Sequence, residues 1–131
     1  MSESILGAGR LVAFVPTAQP ERAKDFYQET LGLALVADER PFALVFDASG
    51  TMLRVTVMKE HQPAQFTVLG WQVEAIVPVV ERLAKAGVEC IRYPGMNDGD
   101  PHGIWNAPSG ARVAWFHDPD GNVLSVTEFH R

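Results

Sequence analysis

The order of apolar runs and glycines along the chain repeats once, and this internal repeat limits the folds open to the sequence. In the first half, an apolar run over Arg10–Pro16 precedes a stretch whose apolar side chains fall at helical spacing from Pro20 onward. Gly32 follows that stretch, in the position of a residue that ends a helix. Three strand-like runs complete the first half: residues 34–37, 42–47 and 52–58.

The second half has the same order: a strand over residues 67–73, a helix over residues 77–86 and Gly87 in the helix-ending position. A loop rich in Gly and Asp, residues 94–103, is an addition to this half. Further strands are predicted over residues 88–93, 104–106, 112–117 and 123–129. The sequence therefore predicts an α+β fold in which two βαβββ modules form a cupped mixed sheet.

The chain has 131 residues, which suits one domain with its own hydrophobic core. We expect residues 1–9 to form a flexible arm, because they are small and polar, and residues 10–131 to form the single domain. Within it, module one covers residues 10–59 and module two residues 66–131, and a linker over residues 60–65 joins them.

Alternation of side chains divides the predicted strands into two faces. One face is apolar, as a sheet face covered by helices requires, and comprises Ala13, Val15, Leu53, Val55, Val57, Leu69, Trp71, Val73, Leu124 and Val126. The other face is mixed and comprises Val12, Phe14, Met52, Arg54, Thr56, Gln72, Ser125 and Thr127. A mixed face on a curved sheet predicts a small-molecule cavity, and the alternative is a face simply exposed to solvent. Phe14 and Met52 favour the cavity, because both would be poorly placed in water.

Bulk properties exclude several classes of partner. The net charge of −5 argues against binding to nucleic acid or to an anionic membrane surface. The one cysteine, Cys90, excludes an intramolecular disulfide and a multi-cysteine metal cluster. The sequence has no basic-then-apolar leader and no apolar run long enough to span a bilayer, so we expect a cytoplasmic protein.

Two segments resemble a known family. PERAKDFYQETLGL, residues 20–33, is similar to the first-helix signature of the vicinal oxygen chelate superfamily, with its Phe-Tyr pair and Leu-Gly exit. VAWFHDPDGNVLSV, residues 113–126, is similar to the last hairpin of that family, with its Asp-Pro-Asp-Gly-Asn turn. The family includes glyoxalases, extradiol dioxygenases and bleomycin-resistance proteins. The resemblance implies a cupped sheet built from paired βαβββ modules and, commonly, a homodimer; the edges and apolar surface of small cupped sheets also favour a dimer.

Enzymes of this family hold a divalent metal ion with His and Glu side chains that face the cup. The resemblance implies that the four ligand positions fall at Val12, Arg54, Val68 and Ser125, none of which is a usual metal ligand. A shift by one residue at any of these positions brings in no ligand either. We therefore predict that the chain has no metal ion at the family position and no other cofactor.

Arg54 is the one charged side chain on the mixed face. A guanidinium there would repel a divalent cation and attract a carboxylate or phosphate of a ligand. The alternative is an Arg paired with a nearby Asp or Glu, since buried charges need partners. The other predicted face residues supply no carboxylate, so the candidates for a counter-charge are a ligand anion or a loop carboxylate such as Asp98 or Asp100.

Trp115 is expected to pair across the last hairpin with Ser125, and Trp105 lies on the preceding strand. Aromatic walls are common in cavities for planar molecules and equally common as ordinary core. A D-x-D-x-H sequence ending at His102 offers a metal site away from the family position, and a solvated acidic loop is the alternative. The predicted ligand-binding residues are Phe14, Arg54, Thr56, Gln72, Trp105, Trp115, Ser125 and Thr127.

The sequence thus favours a metal-free protein that binds a small anionic or aromatic molecule in the cup, with no assigned catalytic residue. The alternative is a metal-dependent lyase, isomerase or dioxygenase of the same superfamily with relocated ligands, which rests on family membership alone. The expected partners are a small-molecule ligand and a second copy of the chain.

Overall fold

The strands of the first half form one four-stranded sheet in the order β1-β4-β3-β2 in the computed structural model, which describes residues 4–130. β1 and β4 are parallel, and the other neighbours are antiparallel. The bounds of these strands are β1 Val12–Thr17, β2 Ala34–Glu39, β3 Ala43–Ala48 and β4 Thr51–Val57. Residues 4–9 form turns and bends with exposed side chains, whereas residues 1–3 of the predicted arm lie outside the described residues.

The first helix, α1, covers Pro20–Asp25 and begins with proline in its first turn, where the missing N–H has no helical partner to lose. A π-helical turn over Phe26–Thr30 continues it, and the Leu31 N–H donates to the Phe26 carbonyl at 2.9 Å. Gly32 then takes a φ of +77°, which ends the helical run at the predicted residue. The turn brings the Tyr27 ring into the core, where it is fully buried.

The second half repeats this topology in a sheet of order β5-β8-β7-β6, with a parallel β5–β8 pair. Its helix, α2, covers Ile76–Lys85, and a Glu128 carboxylate oxygen accepts the N–H of Ile76 at 3.0 Å at the start of that helix. The strands are β5 Thr67–Gln72, β6 Trp105–Asn106, β7 Arg112–His117 and β8 Val123–Glu128. The predicted α+β architecture of two βαβββ modules is confirmed. No helix within residues 4–130 is long and apolar enough to cross a membrane.

The strand predicted over residues 88–93 is wrong, because this segment is irregular. The Ile91 N–H donates to the Trp115 carbonyl at 2.7 Å, as in a strand pair. The next backbone groups of the segment are hydrogen-bonded to the side chain of Asn97 instead. The Asn97 amide donates to the Ile91 carbonyl, and its oxygen accepts the Tyr93 N–H. Backbone N–H and C=O groups that are hydrogen-bonded to the Asn97 side chain are not available to pair with a neighbouring strand. Without this strand, the second half matches the βαβββ order of the first.

The hydrophobic core lies where the two helices cover the sheets. The predicted apolar face supplies its centre, since Val15, Leu53, Val55, Leu124 and Val126 are all buried. The remaining members of that face, other than Val57, pack around this centre and are partly buried: Ala13, Leu69, Trp71 and Val73. The helix-covered face was therefore correctly identified by alternation.

The Asp-Pro-Asp-Gly-Asn turn joins the modules. The Tyr27 hydroxyl donates to the buried Asp118 carboxylate at 2.7 Å, and the Asn122 amide donates to the Pro16 carbonyl at 2.9 Å. Burial, with the nearby Asp118 carboxylate, raises the pKa of Tyr27 above its ordinary value, so this hydroxyl keeps its proton. Asn122 also contacts His61, whose Nε2 lies 2.7 Å from the amide oxygen, so this residue of the predicted linker lies against the turn.

Candidate ligand-binding site

The first sheet presents Phe14, Arg54 and Thr56 on the face that the helices leave uncovered. Phe14 and Arg54 are direct partners in the parallel β1–β4 register, and Val12 lies opposite Met52 in the same way. Phe14 is 61% exposed, although its neighbour Val15 is fully buried on the other face. A large aromatic ring with this exposure leaves apolar surface in contact with water, which is typical of an interaction site. At the end of this sheet, Val12 and Met52 also line a recess of about 390 Å³.

Arg54 has a counter-charge within the chain. Its Nη2 lies 2.8 Å from Oε1 of Glu39, which lies at the end of β2, and both side chains are partly exposed. Of the two alternatives for Arg54, the structure shows the pairing with a nearby carboxylate, and the partner is Glu39 rather than Asp98 or Asp100. Asp98 accepts the Gly95 N–H within its own loop instead. The first face thus offers a paired donor and acceptor in place of a free cation.

The second sheet carries an aromatic wall made of Tyr93, Trp105 and Trp115. The Trp105 and Trp115 rings are 6.0 Å apart at an angle of 34°, and Tyr93 meets Trp115 edge-on at 5.2 Å. All three side chains are half-buried, so each keeps ring surface open to solvent. Trp115 and Ser125 are direct partners between β7 and β8, as the sequence predicted. Sequence reasoning missed Tyr93, because it was assigned to a strand that does not form.

Polar side chains lie beside this wall. Thr127 pairs with Gln72 on one side and with Val113 on the other, so the two polar groups share the face of Ser125. Gly70 lies directly opposite Ser125, and a Cβ at Gly70 would come within 2.6 Å of the Ser125 hydroxyl oxygen. The glycine therefore leaves the space that the buried Ser125 hydroxyl needs. Sequence analysis did not identify Gly70 either, because its position opposite Ser125 depends on the register between β5 and β8.

The predicted site residues therefore form two groups, one on each sheet. Gln72, Trp105, Trp115, Ser125 and Thr127 are neighbours on the second sheet. None of the hydrogen bonds, ion pairs or ring contacts within residues 4–130 joins this group to Phe14, Arg54 or Thr56. Each group lies on an open sheet face.

The residues present do not fit the divalent metal ion of the family enzymes. Val12 and Val68 are apolar, and Arg54 carries a positive charge. Residues 4–130 contain no group of three or more His, Cys, Asp or Glu side chains arranged to hold a metal ion. In the acidic loop, the Asp100 carboxylate accepts the N–H groups of His102 and Ile104, both at 2.9 Å. These bonds, chiefly that from Ile104, lower the pKa of Asp100 and fold the loop onto itself.

Comparison with known proteins gives matches of sequence family and of fold. Residues 9–126 match the model of the Glyoxalase/Bleomycin resistance protein/Dioxygenase superfamily, and no curated protein matches the chain. TnmS3, an antibiotic binding protein from Streptomyces sp. CB03234, is 27% identical with a TM-score of 0.74, over 97% of this chain and 100% of that one.

Two further solved structures share the fold. A putative glyoxalase family protein from Bacillus anthracis is 20% identical with a TM-score of 0.72, over 99% of this chain and 100% of its own. Lactoylglutathione lyase from Agrobacterium tumefaciens is 16% identical with a TM-score of 0.70, over 92% of this chain and 93% of its own. The family match covers most of the sequence and agrees with the paired βαβββ sheets. The chain belongs to the Glyoxalase/Bleomycin resistance protein/Dioxygenase superfamily.

Proposed function

We propose that the protein binds a planar aromatic small molecule against the aromatic wall of the second sheet, without a metal ion. The observation that carries this proposal is the half-buried cluster of Tyr93, Trp105 and Trp115 beside the Ser125 hydroxyl. Small-molecule sites combine apolar and aromatic walls with a few placed polar groups, and this face has that composition. The likeness to an antibiotic binding protein at 27% identity supports the same class of function.

The polar groups favour a ligand with hydroxyl and carbonyl groups over a strongly charged one. Ser125, Thr127 and Gln72 each offer a neutral donor and acceptor on one face. Arg54 already has the Glu39 carboxylate as its partner, so a ligand anion must compete with that pair. Arg54 would then contact a ligand carbonyl through donors that Glu39 leaves free.

The proposed functional unit is a homodimer. Phe14, Met52 and Val12 are 61%, 42% and 37% exposed on one sheet face, and contact with a second copy would bury them. A dimer would also help to enclose the open faces, because among residues 4–130 no hydrogen bond, ion pair or ring contact joins the two groups of predicted site residues. Light scattering at micromolar concentration tests this point directly, and a monomeric mass would contradict it.

The binding proposal is tested with 2-naphthol, a neutral planar probe, and the indole N–H signals of the three tryptophans in an NMR spectrum. Trp→Phe variants assign each signal. We expect the Trp105 and Trp115 signals to move on titration, while the Trp71 signal, from the helix-covered face, stays in place. The shifts should be the same after treatment with EDTA and after addition of a zinc salt, since zinc(II) is diamagnetic and does not itself broaden the signals. Shifts that need a metal ion would overturn the metal-free assignment and favour a relocated metal site.

A further inference from the structure

A crevice of about 370 Å³ opens on the helix side of the molecule, away from the two open sheet faces. The segment after the π-helical turn forms one wall through Leu31 and Leu33, and α2 forms the other through Val79. Its floor comes from the second sheet through Trp71 and Phe116. The crevice therefore lies between the modules, and its volume is within the range of small-ligand sites.

The lining of the crevice is apolar and largely preformed. Phe116, Val126 and Leu83 are 1%, 4% and 6% exposed at its base, so the core itself forms the floor. Trp71 is only partly buried and leaves part of its indole open to the crevice. An apolar chain placed here would cover Trp71 and Leu31 and remove both from water, which is favourable in proportion to the area buried.

Arg82 gives the crevice its charge. The lining residues within the described part of the chain include no carboxylate, and Arg82 lies at the exposed side of the crevice on α2. Among residues 4–130, no hydrogen bond or ion pair involves the Arg82 side chain, in contrast to Arg40 and Arg54, which bind Glu21 and Glu39. A positive charge beside an apolar slot complements a molecule with an apolar body and one anionic end.

We infer that this crevice is a second binding site, which takes an amphipathic carboxylate with its apolar chain between Leu33 and Trp71 and its carboxylate at Arg82. The site uses none of the aromatic wall, so it is independent of the proposed function. It differs in chemistry too, because it offers an apolar crevice and a cation, whereas the sheet face offers edge-on and tilted aromatic rings with neutral polar groups.

Decanoate and its uncharged analogue 1-decanol are the probes for this site. The readout is the NMR signals of the backbone amides and of the tryptophan indole N–H groups. We expect decanoate to shift the Trp71 indole signal and the backbone signals of Leu31, Val79 and Ala86, and to leave the Trp105 and Trp115 indoles in place. Arg82→Met should weaken decanoate binding about fivefold, the scale of a partly exposed ion pair, and leave decanol binding unchanged. Arg22→Met, which removes an exposed arginine of α1, is the matched control and should change neither.

Filling the crevice gives a second, charge-independent test. Ala86 lines the crevice, whereas Ala84 lies on the opposite side of α2, so Ala86→Phe should abolish decanoate binding and Ala84→Phe should not. Both positions are exposed, so both variants are expected to fold. The inference is overturned if decanoate shifts only the Trp105 and Trp115 signals, if Arg82→Met and Arg22→Met bind alike, or if no shift occurs at millimolar probe.

Discussion

The two sheets have equivalent strand orders, but their open faces differ in composition. The first face exposes apolar side chains, with Phe14 at 61%, and carries the Arg54–Glu39 ion pair and the exposed Asp47, which pairs with Met52. The second face groups three aromatic rings beside Ser125, which is 8% exposed. An internal repeat therefore sets the backbone of both modules, while the outward side chains are free to differ. We assign ligand binding mainly to the second face and contact between copies mainly to the first.

Replacement of Trp115 should have the largest effect, because this ring contacts both other members of the aromatic wall. We expect Trp115→Ala to lower the free energy of unfolding by about 2–3 kcal/mol, less than for a fully buried ring, and to abolish naphthol binding. Phe14→Ala on the first face is the matched control and should lower the free energy of unfolding by less than about 0.5 kcal/mol at concentrations where the chain is monomeric. Urea unfolding measures both, and equal losses would remove the distinction between the faces.

Replacement of Phe14 by Asp should act on assembly instead. A charge in an apolar contact between copies should weaken the dimer at least about thirtyfold, the scale of an interface hot spot, with no change in the fold. Met96→Asp is the control, because Met96 is similarly apolar and 42% exposed but lies in the loop of the second module. A dilution series in light scattering gives the dissociation constants. Equal weakening by both substitutions would show that the first face is not the specific contact.

The loop over residues 94–103 distinguishes the second module, and acid should loosen it. The N–H groups of Ile104 and His102 lower the pKa of Asp100, so their stabilisation is complete above the unfolded carboxyl pKa of about 3.9. It is lost as the pH falls through the lower folded value. We expect a lower protection factor for the Ile104 amide below pH of about 4, where the protection factor compares its exchange rate with that of an unstructured peptide at the same pH; the local loss of stability is about 1 kcal/mol. Asp100→Asn should abolish this pH dependence; a loop unchanged in acid would contradict the assignment.

Replacement of Glu39 should have the smallest effect and tests whether both faces serve one ligand. Glu39→Gln frees the Arg54 guanidinium, so binding of anionic 2-naphthoate should tighten about two- to threefold, the scale of a partly exposed ion pair. Binding of neutral 2-naphthol should not change. Glu29→Gln, at an exposed carboxylate of the π-helical turn, is the control. Unchanged naphthoate affinity would mean that the first face lies away from the ligand.

Local patterns predicted the modules well, because helix ends and strand faces depend on nearby residues. Gly32 and Gly87 both have positive φ, of +77° and +85°, at the predicted helix ends. The partner of Arg54 was missed for a physical reason. Strict alternation from Ala34 would turn Glu39 toward the core, but the irregularity between Leu35 and Ala37 shifts the register of β2 and brings Glu39 onto the face of Arg54.

The aromatic wall was only partly predictable. Trp115 was placed on the second face from the hairpin pattern, and Trp105 was placed only on the preceding strand, which pairs with that of Trp115. Tyr93 joins them because Asn97 holds the backbone of its segment away from a strand ladder. That arrangement depends on contacts of one side chain within an irregular loop, and no periodicity of apolar residues encodes it.

The most direct test of the central assignment is the titration of EDTA-treated protein with 2-naphthol, observed through the three indole N–H signals. We expect saturable movement of the Trp105 and Trp115 signals, no movement of the Trp71 signal, and the same affinity when zinc is restored. Movement of Trp71 alone, no movement at millimolar probe, or affinity that appears only with a bound metal ion would contradict it.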